Sequence, residues 1–192
     1  MKRQGPSTRD RILTAANTLF YNEGIRATSV DAIAEKAGIT KKTLYYHFPS
    51  KDNLVASYLE SRDQPNLEIF AQWFDACDGT VADKVAAIFT GVGKGARHPK
   101  WKGCGFQRTV AELANMPGHP AVLVGARHKK KFEAWLTVKF TEAGIDNPAD
   151  IARHIVVLME GTFAILLMHR DADYADAAAV AARQLVTAAM VR

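Results

Sequence analysis

The chain of 192 residues is 48% hydrophobic and 23% charged, a composition that suits a packed globular protein and excludes a disordered one. Its two cysteines, Cys77 and Cys104, cannot build a disulfide framework, so a reducing compartment is expected. The net charge of +5 is unevenly spread: residues 1–53 hold nine Lys/Arg against five Asp/Glu, and the other 139 hold 16 against 15. A basic first quarter suits a polyanion partner, or else an ordinary solvated basic surface.

The opening run MKRQGPSTRDR has no apolar stretch behind its charges and does not read as a secretory signal. The longest apolar run, Ile155 to Met168, carries Glu160 and is short for a bilayer of ~30 Å. A soluble, cytoplasmic protein with no membrane partner is expected.

Helix signals follow one another and no strand signal competes. Ser7 with Asp10 predicts a capping box, followed by Ile12, Ala16, Leu19 and Phe20 at helical spacing up to Gly24. Thr28 with Asp31 predicts the next start, with Val30, Ile33, Ala34 and Ala37 inward and Gly38 as the stop. Thr40 opens a short third helix that Pro49 ends, and Ser50 opens a fourth that Pro65 is expected to kink or break. Thr80 with Asp83 starts a fifth towards His98, and a sixth is expected from Phe106 to Met116. Pro120 at a first helical position starts one reaching Gly144, Asn147-Pro148 with Asp150 starts another through Met168, and Asp173 with Asp176 caps the last. The reading is all-α, about nine helices, without repeats, in two domains: residues 1–50 and residues 51–192.

The run from Val30 to His47 carries the sharpest signal. Two helices crossing at a wide angle need a small residue at the crossing, a left-handed Gly between them and an apolar plug. Ala34, Gly38 and Leu44 fill these places, leaving Thr40, Lys41, Lys42, Thr43, Tyr45, Tyr46 and His47 outward. Each of these can bond a phosphate or a base edge. A plain helical hairpin with a solvated basic face is the alternative.

The run TSVDAIAEKAGITKKTLYYHFPSKDNL, with RILTAANTLFYNEGIRATS before it, resembles the DNA-binding region of the TetR (tetracycline-repressor-like) transcriptional regulators over about residues 8–59. Many members carry Gly where this chain has Lys42, which adds a contact option. The resemblance implies a phosphate contact from Thr28, base reading by Thr40, Lys42 and Thr43, and backbone grip by Lys41, Tyr45, Tyr46, His47 and Lys51. It further implies a homodimer on a palindromic double-stranded DNA operator, most often a repressor released by a small-molecule effector. Neither a cofactor nor a metal is implied.

For the remainder, the resemblance implies a domain for ligand binding and dimerisation. Phe70, Trp73, Phe74, Phe106, Phe132, Trp135 and Phe163 are candidate apolar walls, and Arg108, Glu112, His128 and Glu160 candidate polar groups. Each aromatic could equally be core, and Arg108 with Glu112 an intrahelical ion pair. Glu160, amid apolar neighbours, needs an internal partner or a polar ligand. The helix over 147–168 is apolar all round, so it must be buried on both sides. Ile151, Ile155, Leu158, Thr162, Ile165 and Leu166, with Ala177, Val180, Ala181, Gln184, Ala188 and Val191 of the last helix, are the expected dimer face, two copies of the helix pair making one four-helix interface around a two-fold axis.

An enzyme is not expected. GVGKG at 91–95 lacks the phosphate-loop spacing and a preceding strand, and reads as helix. Cys104, near Lys100 and Lys102, is an alternative thiol input. With His98, His119 and His128 it is also a metal alternative, although the spacings match no compact zinc pattern.

Overall fold

The structure is a computed structural model and describes residues 5–190. Among these are nine helices and no strand: α1 (Thr8–Glu23), α2 (Val30–Ala37), α3 (Lys41–His47), α4 (Lys51–Asp75), α5 (Val81–Ala96), α6 (Gly105–Glu112), α7 (Pro120–Glu142), α8 (Pro148–His169) and α9 (Asp173–Met190).

Most starts arise as the caps require. The Ser7 hydroxyl accepts from the Asp10 N–H at 3.2 Å while the Asp10 carboxylate accepts from the Ser7 N–H at 3.3 Å. Thr80 and Asp83 repeat this box, Thr40 accepts from the Thr43 N–H, and Ser50 from the Asn53 N–H. Two starts differ in their capping residue from the sequence expectation, and the start at Asn147-Pro148 stands as expected. Ser29, not Thr28, caps α2 by accepting from the Ala32 N–H at 3.0 Å. Asp171, two residues upstream of Asp173, caps α9 by accepting from the Asp173 N–H at 3.0 Å. Asn147 makes no side-chain cap; it adopts the left-handed region (φ 54°), and Pro148 begins the helix. The sixth helix also ends early, at Glu112 rather than Met116.

Pro65 does not break α4, which runs unbroken for 25 residues. Proline removes one backbone donor, stranding the Ser61 carbonyl. Both Ser61 and Pro65 face solvent, where water can satisfy that carbonyl.

The chain divides into two compact units, Met1–Asp63 with Gly105–Ala126 and Gln64–Cys104 with Arg127–Arg192, so compactness does not part at residue 50. In the first unit, Ile12, Ala16 and Phe20 of α1 meet Ile33 and Ala34 of α2, with Leu44, Phe48, Leu54 and Leu59 completing the core. His119 precedes α7 as its cap: Nδ1 accepts from the Ala121 N–H, which leaves the proton on Nε2, 3.2 Å from the Asp52 carboxylate.

In the second unit α5 and α9 run antiparallel, tied by Arg183–Asp83 at 3.1 Å and Arg97–Asp176 at 3.5 Å. Their facing residues are small. A Cβ on Gly93 would lie 2.7 Å from that of Ala175, so the close approach depends on glycine there. Gly91 likewise makes room for the Trp73 ring. Packing thus accounts for two of the glycines in GVGKG, and the run is helical as expected. Helix α8, at 22 residues, exceeds the apolar run read from sequence and is long and apolar enough by composition to cross a membrane. Here its Ile155, Met159, Phe163 and Leu166 are buried within the protein, while Val157 and Met168 stay exposed.

Candidate nucleic-acid interface

The α2–α3 pair is built around its turn. Gly38 sits in the left-handed region (φ 64°, ψ 43°), where its N–H and that of Ile39 return to carbonyls of the last turn of α2. The Arg11 guanidinium then donates to the Ala37 carbonyl at 2.6 Å and the Gly38 carbonyl at 3.1 Å. A cation thereby satisfies the acceptor end of α2. Leu44 is fully buried and pins α3, a helix of 7 residues too short to persist alone. Phe48 is buried as well, beneath the Arg9 guanidinium at 5.0 Å from its ring centroid.

The outer face of α3 is then polar and open. Thr40, Lys41, Lys42, Tyr45 and Tyr46 are exposed, Tyr46 at 85%, and Thr43 and His47 are half-buried. The Tyr46 and His47 rings meet edge to face at 5.2 Å. Lys41 pairs with Asp31 at 3.0 Å, and that hydrogen bond and charge raise its pKa. Burial holds Lys51 below the ordinary lysine value, against the charges of Asp52 and Glu112. Thr28 does not stand with these residues: it is buried, and its hydroxyl donates to the Gly24 carbonyl at 2.7 Å. Ser29, exposed beside it at the N-terminus of α2, is the residue the sequence reading passed over. Its signal was present, a Ser three residues before Ala32 and directly ahead of the apolar run.

The expected ligand residues do not form one set. Phe106, Arg108 and Glu112 lie in the first unit. Arg108 donates to the Tyr21 carbonyl at 2.8 Å and lies over the Tyr21 ring. Glu112 accepts from the N–H groups of Ile25 and Arg26 at 2.8 and 3.0 Å, in the loop after α1. These contacts replace the intrahelical pair considered from sequence. They serve carbonyls and amides that the end of α1 leaves without helical partners. Gly24 (φ 92°) allows the approach, since a Cβ there would meet Glu112 Oε1 at 2.9 Å.

In the second unit Phe70, Trp73, Phe74, Phe132 and Trp135 do gather, with neighbouring ring centroids 5.0 to 6.1 Å apart. His128 is buried nearby in sequence, on α7. Glu160 has an internal partner, Lys129 at 2.6 Å, and Lys129 also lies over the Phe163 ring. Among the described residues no three His, Cys, Asp or Glu side chains are grouped to hold a metal.

On α9, Ala177, Val180, Ala181, Gln184 and Ala188 face outward, while Ala175, Ala178, Ala179, Ala182 and Val186 are buried. Val191 lies outside the described residues. On α8 the expected face is divided within the single chain: Ile155, Thr162 and Leu166 are interior, and Ile151, Leu158 and Ile165 are half-buried. Beyond its first turn the outward residues are Arg153, His154, Val157, Gly161, Met168 and His169, with Val157 and Met168 each 68% exposed. A helix apolar on two sides gives periodicity no means of telling which side the protomer itself covers.

Comparison with known proteins agrees with this geometry. Residues 12–58 match the family described as "Bacterial regulatory proteins, tetR family". The chain is 27% identical over 135 residues to the HTH-type transcriptional repressor KstR2 of Mycolicibacterium smegmatis, covering 70% of this chain and 64% of that one. It is 40% identical over 60 residues to the HTH-type transcriptional regulator TtgR of Pseudomonas putida, covering 31% of this chain and 29% of that one. Among solved structures, a putative TetR transcriptional regulator from Streptomyces avermitilis superposes with a TM-score of 0.83 at 26% identity, covering 96% of this chain and 98% of that one. A TetR-family transcriptional regulator from Streptomyces coelicolor gives 0.82 at 27%, covering 95% and 96%.

Proposed function

Because the chain belongs to the tetR family of bacterial regulatory proteins, we propose that it is a DNA-binding transcriptional regulator, a repressor that holds a palindromic operator as a homodimer. The observation that carries this reading is the outward polar face of α3 above the buried Leu44. Lys42 and Thr43 read base edges, Lys42 at guanine O6/N7 and Thr43 through its methyl group at thymine. Thr40 joins them, while Ser29, Lys41, Tyr45, Tyr46, His47 and Lys51 hold phosphates and set the register. The relatives compared above are transcriptional regulators by name, and none is an enzyme.

Dimerisation is supported by the outward apolar residues of α8 and α9, which match the surface a two-fold copy would cover. The two copies of α3 then enter successive major grooves if they stand ~34–36 Å apart. A small molecule that binds better at another spacing weakens DNA binding by the same coupling factor. The aromatic group of Phe70, Trp73, Phe74, Phe132 and Trp135 favours an aromatic or amphiphilic effector. Acting on operators places the protein in the cytoplasm.

The test is selection of duplexes from a random pool, followed by fluorescence anisotropy on the selected sequence. A palindromic site bound by a dimer, lost on Lys42→Ala with Tyr46→Ala, is the expected result. Binding without sequence preference, or none at low salt, would overturn the reading.

A further inference from the structure

Two arginines near the start of α1 reach the two ends of α3. Arg11 is taken up by the Ala37 and Gly38 carbonyls, just before α3 begins. Arg9 reaches the other end, where its guanidinium carbon lies 5.0 Å from the ring centroid of Phe48, the residue that closes α3. Phe48 is 2% exposed and Arg9 is open to solvent, so the ring fixes the guanidinium at the surface from beneath. Among the described residues Arg9 has neither the carbonyl partners of Arg11 nor a carboxylate such as Lys41 finds in Asp31. A guanidinium stacked by its face keeps the N–H donors along its edge available to an oxyanion. Helix stability gives no reason for the residue, since a cation in the first turn of α1 opposes the helix dipole.

We propose that Arg9 is a further phosphate contact, held by Phe48 against the operator backbone beside the end of α3. The proposal rests on the regulator reading, which already sets His47 and Lys51, on either side of Phe48 in the chain, on phosphates. The ring limits the freedom of the side chain before DNA arrives, so less ordering is left for the binding step. A phosphate contact fixes register and carries no sequence information. Arg9 therefore adds affinity on every duplex, whereas Lys42 acts at one base position.

Arg9→Met keeps an apolar stem on Phe48 and removes the charge and the donors. The full chain carrying it is compared with wild type by fluorescence anisotropy over a series of salt concentrations, on the selected duplex and on one of unrelated sequence. The slope of log affinity against log salt is expected to fall by about 0.9, and affinity at ~0.1 M salt by roughly eightfold, on both duplexes. Arg9→Lys keeps the charge and is expected to restore the slope. Circular dichroism melting checks folding, and Arg9→Gln repeats the measurement if Arg9→Met is unstable. An unchanged slope in a folded Arg9→Met or Arg9→Gln protein overturns the proposal and leaves Arg9 as a cover for Phe48. A loss confined to the selected duplex overturns it too, because it makes Arg9 a reader of bases. Wild-type protein that binds neither duplex overturns the regulator reading itself, so the two failures are distinguishable.

Discussion

The α2–α3 pair and the α8–α9 pair are opposite solutions to the same problem. Helices α2 and α3 have 8 and 7 residues, too few to hold together by themselves, and their exposed side is polar. They are fixed from beneath by Leu44 and at the turn by Gly38 and Arg11. Helices α8 and α9 have 22 and 18 residues, pack against each other, and keep apolar residues outward even after their own interior is filled. A protein that leaves cations and hydroxyls outward on one pair and Val157, Met168 and Val180 on the other is suited to two different partners. One is a polyanion and the other is a second apolar surface.

The largest expected effect breaks the first pair from below. Leu44→Ala should cost about 2–5 kcal/mol, read by urea unfolding, because a fully buried leucine leaves a cavity. A loss well under that range would mean that α3 is not held by its plug. Next, Val157→Glu with Met168→Glu buries charge at the proposed two-fold surface and should weaken the dimer by about 3 kcal/mol, roughly a hundredfold. Sedimentation at several concentrations reads this, and an unchanged dimer would place the interface elsewhere. Glu112→Ala strips the acceptor from two backbone amides and should lower stability by about 1–3 kcal/mol. Lys42→Ala should leave the melting temperature alone while weakening operator binding by about 1–3 kcal/mol and relaxing specificity at one base position, read by anisotropy on single-base operator variants.

The smallest effect concerns acid. The Thr80 hydroxyl and N–H, joined by Arg183, hold the Asp83 carboxyl below its ordinary value of 3.8. The stabilisation is therefore complete above that value and disappears as pH falls through the lower folded one. Asp83→Asn should make the acid unfolding of the second unit less steep, followed by helical circular dichroism.

The same contrast explains what was legible. The starts of α1, α3, α4 and α5 could be read because Ser7, Thr40, Ser50 and Thr80 act on residues three positions away. The buried Leu44 and Phe48 and the open face of α3 followed from spacing alone. Thr28 misled because Thr and Ser both cap helices, and only the fold sends one hydroxyl inward to the Gly24 carbonyl. Pro65 misled because its local penalty is real, but the surrounding helix outweighs it where the stranded carbonyl is wet.

By itself the sequence determined an all-α chain, the order of its helices, and a hairpin with a basic outer face, since each rests on contacts within a few residues. Tertiary structure decided the rest. It sent Arg108 to Tyr21 and Glu112 to the amides of Ile25 and Arg26, contacts that span 86 or 87 positions. It chose which side of α8 is interior and placed Lys129 beside Cys104, where the sequence had pointed to Lys100 and Lys102. Periodicity records which way a side chain points from its own helix, but what it meets there depends on how distant segments pack.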